Sequence, residues 1–292
     1  MKFIISVDTE ADNQWLRPSG LALNNLRALP RFQELCSRYD FPVTYLITYE
    51  VAQDVDAVKT LREFEATGLA EIGTHLHPWS TLPYPQGVEW ERIHHRFPSE
   101  LSEGELRAKL RSLTDLIIQQ FGHQPASFRA GRWGFSHELA KILCDFGYRV
   151  DSSVTPGISW RDSKGDPGGK GGPNFCRAPI HPYKINGIIE VPMTVLPVGG
   201  LFERGLRRIF RRFRWFRIFP DTSLNDLLAV YEAAVFYRLP YVQFMIHSSE
   251  LAVDCSPWVK TQVDVERTFA LLELLFKEFK KRNIVGQVLS RS

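Results

Sequence analysis

The chain has 292 residues, 44% of them hydrophobic and 24% charged, with a formal net charge of +3 at pH 7. This composition is that of a globular protein, and the small net charge gives no reason to expect a nucleic-acid partner. The apolar run within MKFIISVDTE is too short for a secretory leader, and no stretch nears the ~18 apolar residues of a membrane span, so the cytoplasm is the expected location. Cys36, Cys144, Cys176 and Cys255 are too scattered for zinc or redox spacing and read as reduced, mostly packing thiols.

In chain order, short apolar runs alternate with segments of helical period. Strands are predicted at Lys2–Asp8, Pro42–Thr48, Ala70–His75, Ala126–Ala130, Tyr148–Ser153, Ile188–Met193 and Val242–His247. Several are continuously apolar, as parallel strands buried on both faces must be. Helices are predicted at Leu21–Arg38, Ala57–Thr67, Leu101–Phe121, Ser136–Phe146, Ser223–Tyr237 and Val263–Arg282. Ser102 with Glu105 three residues on forms a capping-box pattern, and Gly68, Gly122 and Gly147 stand at helix ends. The alternation predicts an α/β fold of single-domain type over residues 1–292, a distorted (β/α) barrel of seven parallel strands. The Gly-rich stretch Arg161–Pro173 reads as a loop without phosphate-binding spacing.

Asp8, His75, Arg129, Asp151 and His247 each fall at or just beyond the C-terminal end of a predicted strand. In parallel α/β folds those ends meet on one rim, where sites are built. Asp8 and Glu10 are two residues apart and share a face of an extended strand, as do His75 and His77. Like charges held close call for a neutralising cation, and imidazoles with carboxylates suit zinc or a similar divalent ion. A plainer reading has Glu10 and His77 capping loops. Trp15, Trp79, Tyr84, Trp133 and Trp160 lie near these motifs and could stack on sugar faces or pack the core. His94, His95, His123 and His181 read as surface or loop residues.

Taken together, SVDTE, EIGTHLHPWS, SFRAGRWG, VDSS and FMIHSSEL, in that order, resemble the motifs of the polysaccharide deacetylase family (NodB-homology domain, carbohydrate esterase family four). The set runs to about Leu251 and covers most of the chain. The resemblance implies Asp8 as the general base that takes a proton from the attacking water, Arg129 as the group that holds Asp8, and His247 as the general acid. It implies Glu10 and His75 as metal ligands. The family's second histidine falls four residues after the first, where this chain has Trp79, and Thr9 separates the two acids; His77 is taken as the substitute ligand. Trp79, Trp133, Asp151 and Glu250 are the candidate substrate-binding residues. The expected reaction is removal of N-acetyl groups from a sugar or glycan. Hydrolysis of a non-sugar amide, and a degenerate barrel that binds glycan or lipid without turnover, are the alternatives.

Residues 201–220, LFERGLRRIFRRFRWFRIFP, interleave seven arginines with aromatic residues. As a helix this segment has an arginine face and an aromatic face. It reads equally as an anionic-membrane anchor, placing a lipid-linked substrate at the inner membrane face, or as an amphipathic cover of the barrel.

Overall fold

The computed structural model describes residues 1–16, 20–87, 93–198 and 212–292. The strands are β1 (Lys2–Thr9), β2 (Val43–Ile47), β3 (Ala70–Leu76), β4 (Ser127–Ala130), β5 (Val150–Asp151), β6 (Tyr183–Ile185), β7 (Ile188–Glu190), β8 (Val195–Val198), β9 (Arg212–Trp215), β10 (Tyr241–His247) and β11 (Val285–Gly286). The helices are α1 (Leu29–Arg38), α2 (Tyr49–Gln53), α3 (Val55–Ala66), α4 (Glu103–Phe121), α5 (His137–Asp145), α6 (Leu224–Phe236) and α7 (Gln262–Lys281).

The main sheet runs β10-β1-β2-β3-β4-β5-β7-β6, with β11 beside β1. Its first seven members pair in parallel throughout, as the continuous apolar runs predict. β6 adds an antiparallel edge through a hairpin with β7. Among the described residues the sheet curls without a hydrogen-bonded ladder between β7 and β10. Side chains bridge that seam: the Tyr241 hydroxyl donates to the Pro192 carbonyl at 2.7 Å, and the Gln243 N–H to Thr194 Oγ1 at 2.8 Å. The barrel is therefore distorted and closed there by polar contacts.

Local chemistry sets the ends of the elements. Ser102 caps α4 by accepting from the Glu105 N–H while the Glu105 carboxylate returns to the Ser102 N–H, and Gly122 ends the helix in the left-handed region at φ 79°. Ser223 and Thr261 cap α6 and α7 in the same way. The predicted helix Leu21–Arg38 is shorter. Residues 24–28 form a 3₁₀ turn, and α1 starts at Leu29 because Pro30, lacking an N–H, fits only the first turn.

The predicted helix at 201–220 is corrected where it is described. Arg212–Trp215 is a strand, antiparallel to β8. Phe216 is fully buried and packs edge-on against Phe244 and face-to-face with Phe279. The end of the segment is thus a core hairpin; residues 201–211 lie outside the described residues. Cys144 and Cys176 are exposed rather than packed, and all four thiols are free. Among the described residues no helix is long and apolar enough to cross a membrane.

Candidate metal centre and its cavity

Parallel register brings the strand-end residues together: Asp8 on β1 stands opposite His247 on β10, and His75 on β3 opposite Arg129 on β4. Glu10 follows β1 and His77 follows β3 on the same rim. Glu10 Oε2 lies 3.2 Å from His77 Nε2 and 3.7 Å from His75 Nε2, and the two Nε2 atoms are 2.9 Å apart. These three ligand atoms lie within 4.8 Å of one another, and all three residues are buried. His75 Nδ1 is 3.1 Å from the Arg129 carbonyl, which can only accept, so Nδ1 carries the proton and the Nε2 lone pair faces the cluster. One carboxylate and two imidazoles, buried and convergent, fit a divalent ion with open positions left for water and substrate. The donor set does not distinguish zinc from other first-row ions.

The charges agree with that fit. Burial, and then the nearby His75, His95, His247 and Arg132, hold His77 well below the ordinary imidazole range, so its ring is neutral and able to offer a lone pair to an ion. Burial opposes a charge on His75, but Asp8 and Glu10 outweigh it and raise its proton affinity. Asp8 is 2% exposed. Burial opposes its ionisation, yet the Arg129 guanidinium, with His75 and His247, keeps its carboxyl below the ordinary value.

Arg129 is fully buried inside the barrel. It donates to Asp8 Oδ1, to the Ser152 carbonyl at 2.7 Å and to Ser6 Oγ at 3.0 Å. With each of its three nitrogens engaged, this arginine holds Asp8 in place, 3.9 Å from His75 Nε2 and 3.8 Å from His247 Nε2.

Above the cluster opens a cavity of about 420 Å³. Six of the chain's seven tryptophans line it: Trp15, Trp79, Trp133, Trp160, Trp215 and Trp258. The seventh, Trp90, lies outside the described residues. These rings give the cavity flat apolar walls. Trp79 stacks on His77 at 4.2 Å between ring centroids and on His95 at 4.4 Å. The turn after β4 holds Arg132 and Trp133 in the left-handed region, at φ 52° and 63°. Consecutive side-chain-bearing residues there cost about 1 kcal/mol or more each, a strain typical of functional loops. Gly131 in that turn is required: a Cβ would lie 2.6 Å from His77 Cδ2.

Two of the candidate substrate-binding residues stand outside the cavity lining. Asp151 is fully buried, accepts from the Ser153 N–H and hydroxyl, and is paired in register with Glu190. Glu250 is buried beneath the rim. It accepts from Arg217 and from the His247 N–H. Tyr84 is also outside the lining; its hydroxyl donates to the Ser80 carbonyl. Conversely, His95 lines the cavity although it reads as a loop residue, as do Arg132, Arg217, Phe219, Trp215 and Trp258. His123 and His181 are exposed as expected.

No protein-family model matches the chain, and no curated protein matches it. Solved structures do share its fold. A putative polysaccharide deacetylase from Mycobacterium smegmatis matches with a TM-score of 0.50 at 15% identity, over 100% of this chain and 95% of that one. BA3943, a CE4 family pseudoenzyme from Bacillus anthracis, matches with a TM-score of 0.50 at 11% identity, over 99% of this chain and 64% of that one. A GH57-type branching enzyme from the hyperthermophilic archaeon Pyrococcus horikoshii gives a TM-score of 0.55 at 11% identity, over 99% of this chain and 69% of that one. The chain spans less than two thirds of the pseudoenzyme's length. The fold is that of the NodB-homology polysaccharide deacetylases, and it also carries other chemistry, so function has to be argued from the site.

Proposed function

From this fold and its three-ligand cluster, we propose that the chain is a metal-dependent hydrolase removing N-acetyl groups from a sugar or glycan. The observation that carries the proposal is the convergence of Glu10 Oε2, His75 Nε2 and His77 Nε2 on one point, beside the Arg129-held Asp8, at the floor of a tryptophan-lined cavity. We assign zinc as the ion. A divalent ion held there supplies Lewis acidity, polarising the acyl carbonyl and acidifying water.

The protein's own groups do the rest. Asp8 is ionised and within reach of the cluster, so it takes the proton of the attacking water. Arg129 fixes its direction. His247 faces Asp8 through Nε2 and offers a hydrogen-bond donor beside the reacting atoms. Trp79 and Trp133 form part of the sugar-binding wall. The buried positions of Asp151 and Glu250 favour roles behind the cavity over contact with substrate.

In the same proposal the substrate is lipid-linked, in surface-polysaccharide metabolism, and is met at the inner membrane face. The arginine and aromatic content of residues 201–211 supports this. Flotation with anionic and neutral vesicles tests it; equal behaviour with both removes the membrane part of the proposal.

Acetate release from N-acetylated oligosaccharides and from a panel of non-sugar amides, with and without added zinc, tests the central reading. Metal-dependent release from the sugars alone is expected. Release from non-sugar amides alone assigns the alternative hydrolase, and glycan binding without release assigns a binding barrel.

A further inference from the structure

Arg217 reaches the site from the stretch that follows β9. Its Nη2 lies 2.9 Å from His247 Nδ1, and the same nitrogen donates to Glu250 Oε1. The guanidinium sits over the rings of Phe219 and Trp258, at 5.2 and 5.5 Å from their centroids. Arg217 and Glu250 are each less than a tenth exposed, so this ion pair is shielded from water.

A guanidinium nitrogen carries only donors and keeps its protons at any relevant pH. At 2.9 Å, therefore, His247 Nδ1 is the acceptor. A neutral imidazole has one donor and one acceptor nitrogen, so the ring proton falls on Nε2. Nε2 is the atom facing Asp8, 3.8 Å from Oδ2. The His247 main-chain N–H donates to Glu250 Oε2 at 3.1 Å, which fixes the residue's backbone to the same pair.

We infer that Arg217 is a positioning residue that locks His247 as the Nε2–H tautomer, making the donor at the reacting atoms a neutral imidazole. The tautomer follows from the geometry alone; its use in catalysis rests on the proposed hydrolysis. In that use His247 gives a hydrogen bond and keeps its proton. The water's O–H bond breaks, its proton moves to Asp8 and its oxygen bonds to the acyl carbon. As the C–N bond breaks, Asp8 passes the proton to the leaving nitrogen. This differs from the general-acid role that the family resemblance implies for His247.

Histidine-selective ¹⁵N labelling of the full chain, read by long-range ¹H–¹⁵N correlation, tests the assignment. The His247 signals are identified by their loss in His247→Gln. An Nε2–H pattern with bare Nδ1 is expected in the unaltered protein and in Arg217→Lys, which keeps a donor. A change to Nδ1–H, or to a mixture, is expected in Arg217→Met. Should that variant fail to fold because Glu250 is left unpaired, Arg217→Met/Glu250→Gln removes both charges and is read in the same way. An Nδ1–H pattern in the unaltered protein, or an unchanged pattern without the arginine, overturns the inference. Absence of deacetylation with the Nε2–H pattern intact overturns the proposed activity and leaves the tautomer assignment standing.

Discussion

Glu250 and Arg217 form a buried ion pair that joins the stretch after β9 to the turn after β10. Burial opposes the Glu250 charge, but the Arg217 guanidinium, aided by the His247 main-chain N–H, outweighs it and depresses the carboxyl to about 2. The unfolded value is 4.5. A depressed acid stabilises the fold above its unfolded value, and that contribution disappears as pH falls from about 4.5 toward 2. Glu250→Gln is expected to lose on the order of 3 kcal/mol at neutral pH and to flatten the acid side of the stability curve. Urea unfolding across that pH range is the check.

Asp151 and Glu190 give the opposite sign. Both are fully buried, and burial raises both carboxyls, Glu190 the more because Asp151 lies beside it. The folded state therefore binds a proton that the unfolded state has released, and stability falls as pH rises above the ordinary carboxylate range. Glu190→Gln supplies a donor without needing that proton. Thermal unfolding of the variant is expected to show a gain of about 1 kcal/mol or more at neutral pH and a weaker decline with pH.

Asp8→Asn removes the base and leaves Glu10, His75 and His77 in place. Loss of a general base costs ~10²–10⁴-fold in turnover. Metal content is expected to stay at the level of the unaltered protein. The buried Arg129 keeps its bonds to Ser152 and Ser6 but loses its counter-charge, which costs roughly 3 kcal/mol of stability. Kinetics, metal analysis and thermal unfolding on one preparation separate these effects.

Gly131→Ala places a methyl group against His77 Cδ2 and the Leu76 carbonyl, each at 2.6 Å. The ring and the Leu76 peptide both have to shift, and misdirected ligands lose ~10- to 100-fold in metal affinity. Competition with a chelating dye is expected to show that weakening with the fold intact by circular dichroism.

The seven parallel strands are legible in the sequence because strands buried on both faces leave continuous apolar runs. Asp8, Glu10, His75, His77, Arg129 and His247 are legible for a related reason. Charged and imidazole groups that end such runs have little to do in a core. Arg217 is not, since its burial depends on Glu250, 33 positions away, and an arginine in a basic stretch reads as solvent-facing. The alternation Arg212-Phe213-Arg214-Trp215 has the period of a strand, a signal that the arginine count of the whole segment hides. Asp151 sits at a strand end like its neighbours, but it is fully buried and paired in register with Glu190, and one position cannot reveal the other. His95 reaches the cavity from an irregular loop, which carries no periodicity to read.

The proposed hydrolysis depends on Glu10, His75 and His77 sharing one ion. Diffraction from crystals grown with zinc, recorded on both sides of the zinc absorption edge, tests this directly. One anomalous peak per chain is expected between Glu10 Oε2 and the two Nε2 atoms, absent in His75→Ala. A folded chain with no peak there, or with the ion held by other residues, contradicts it.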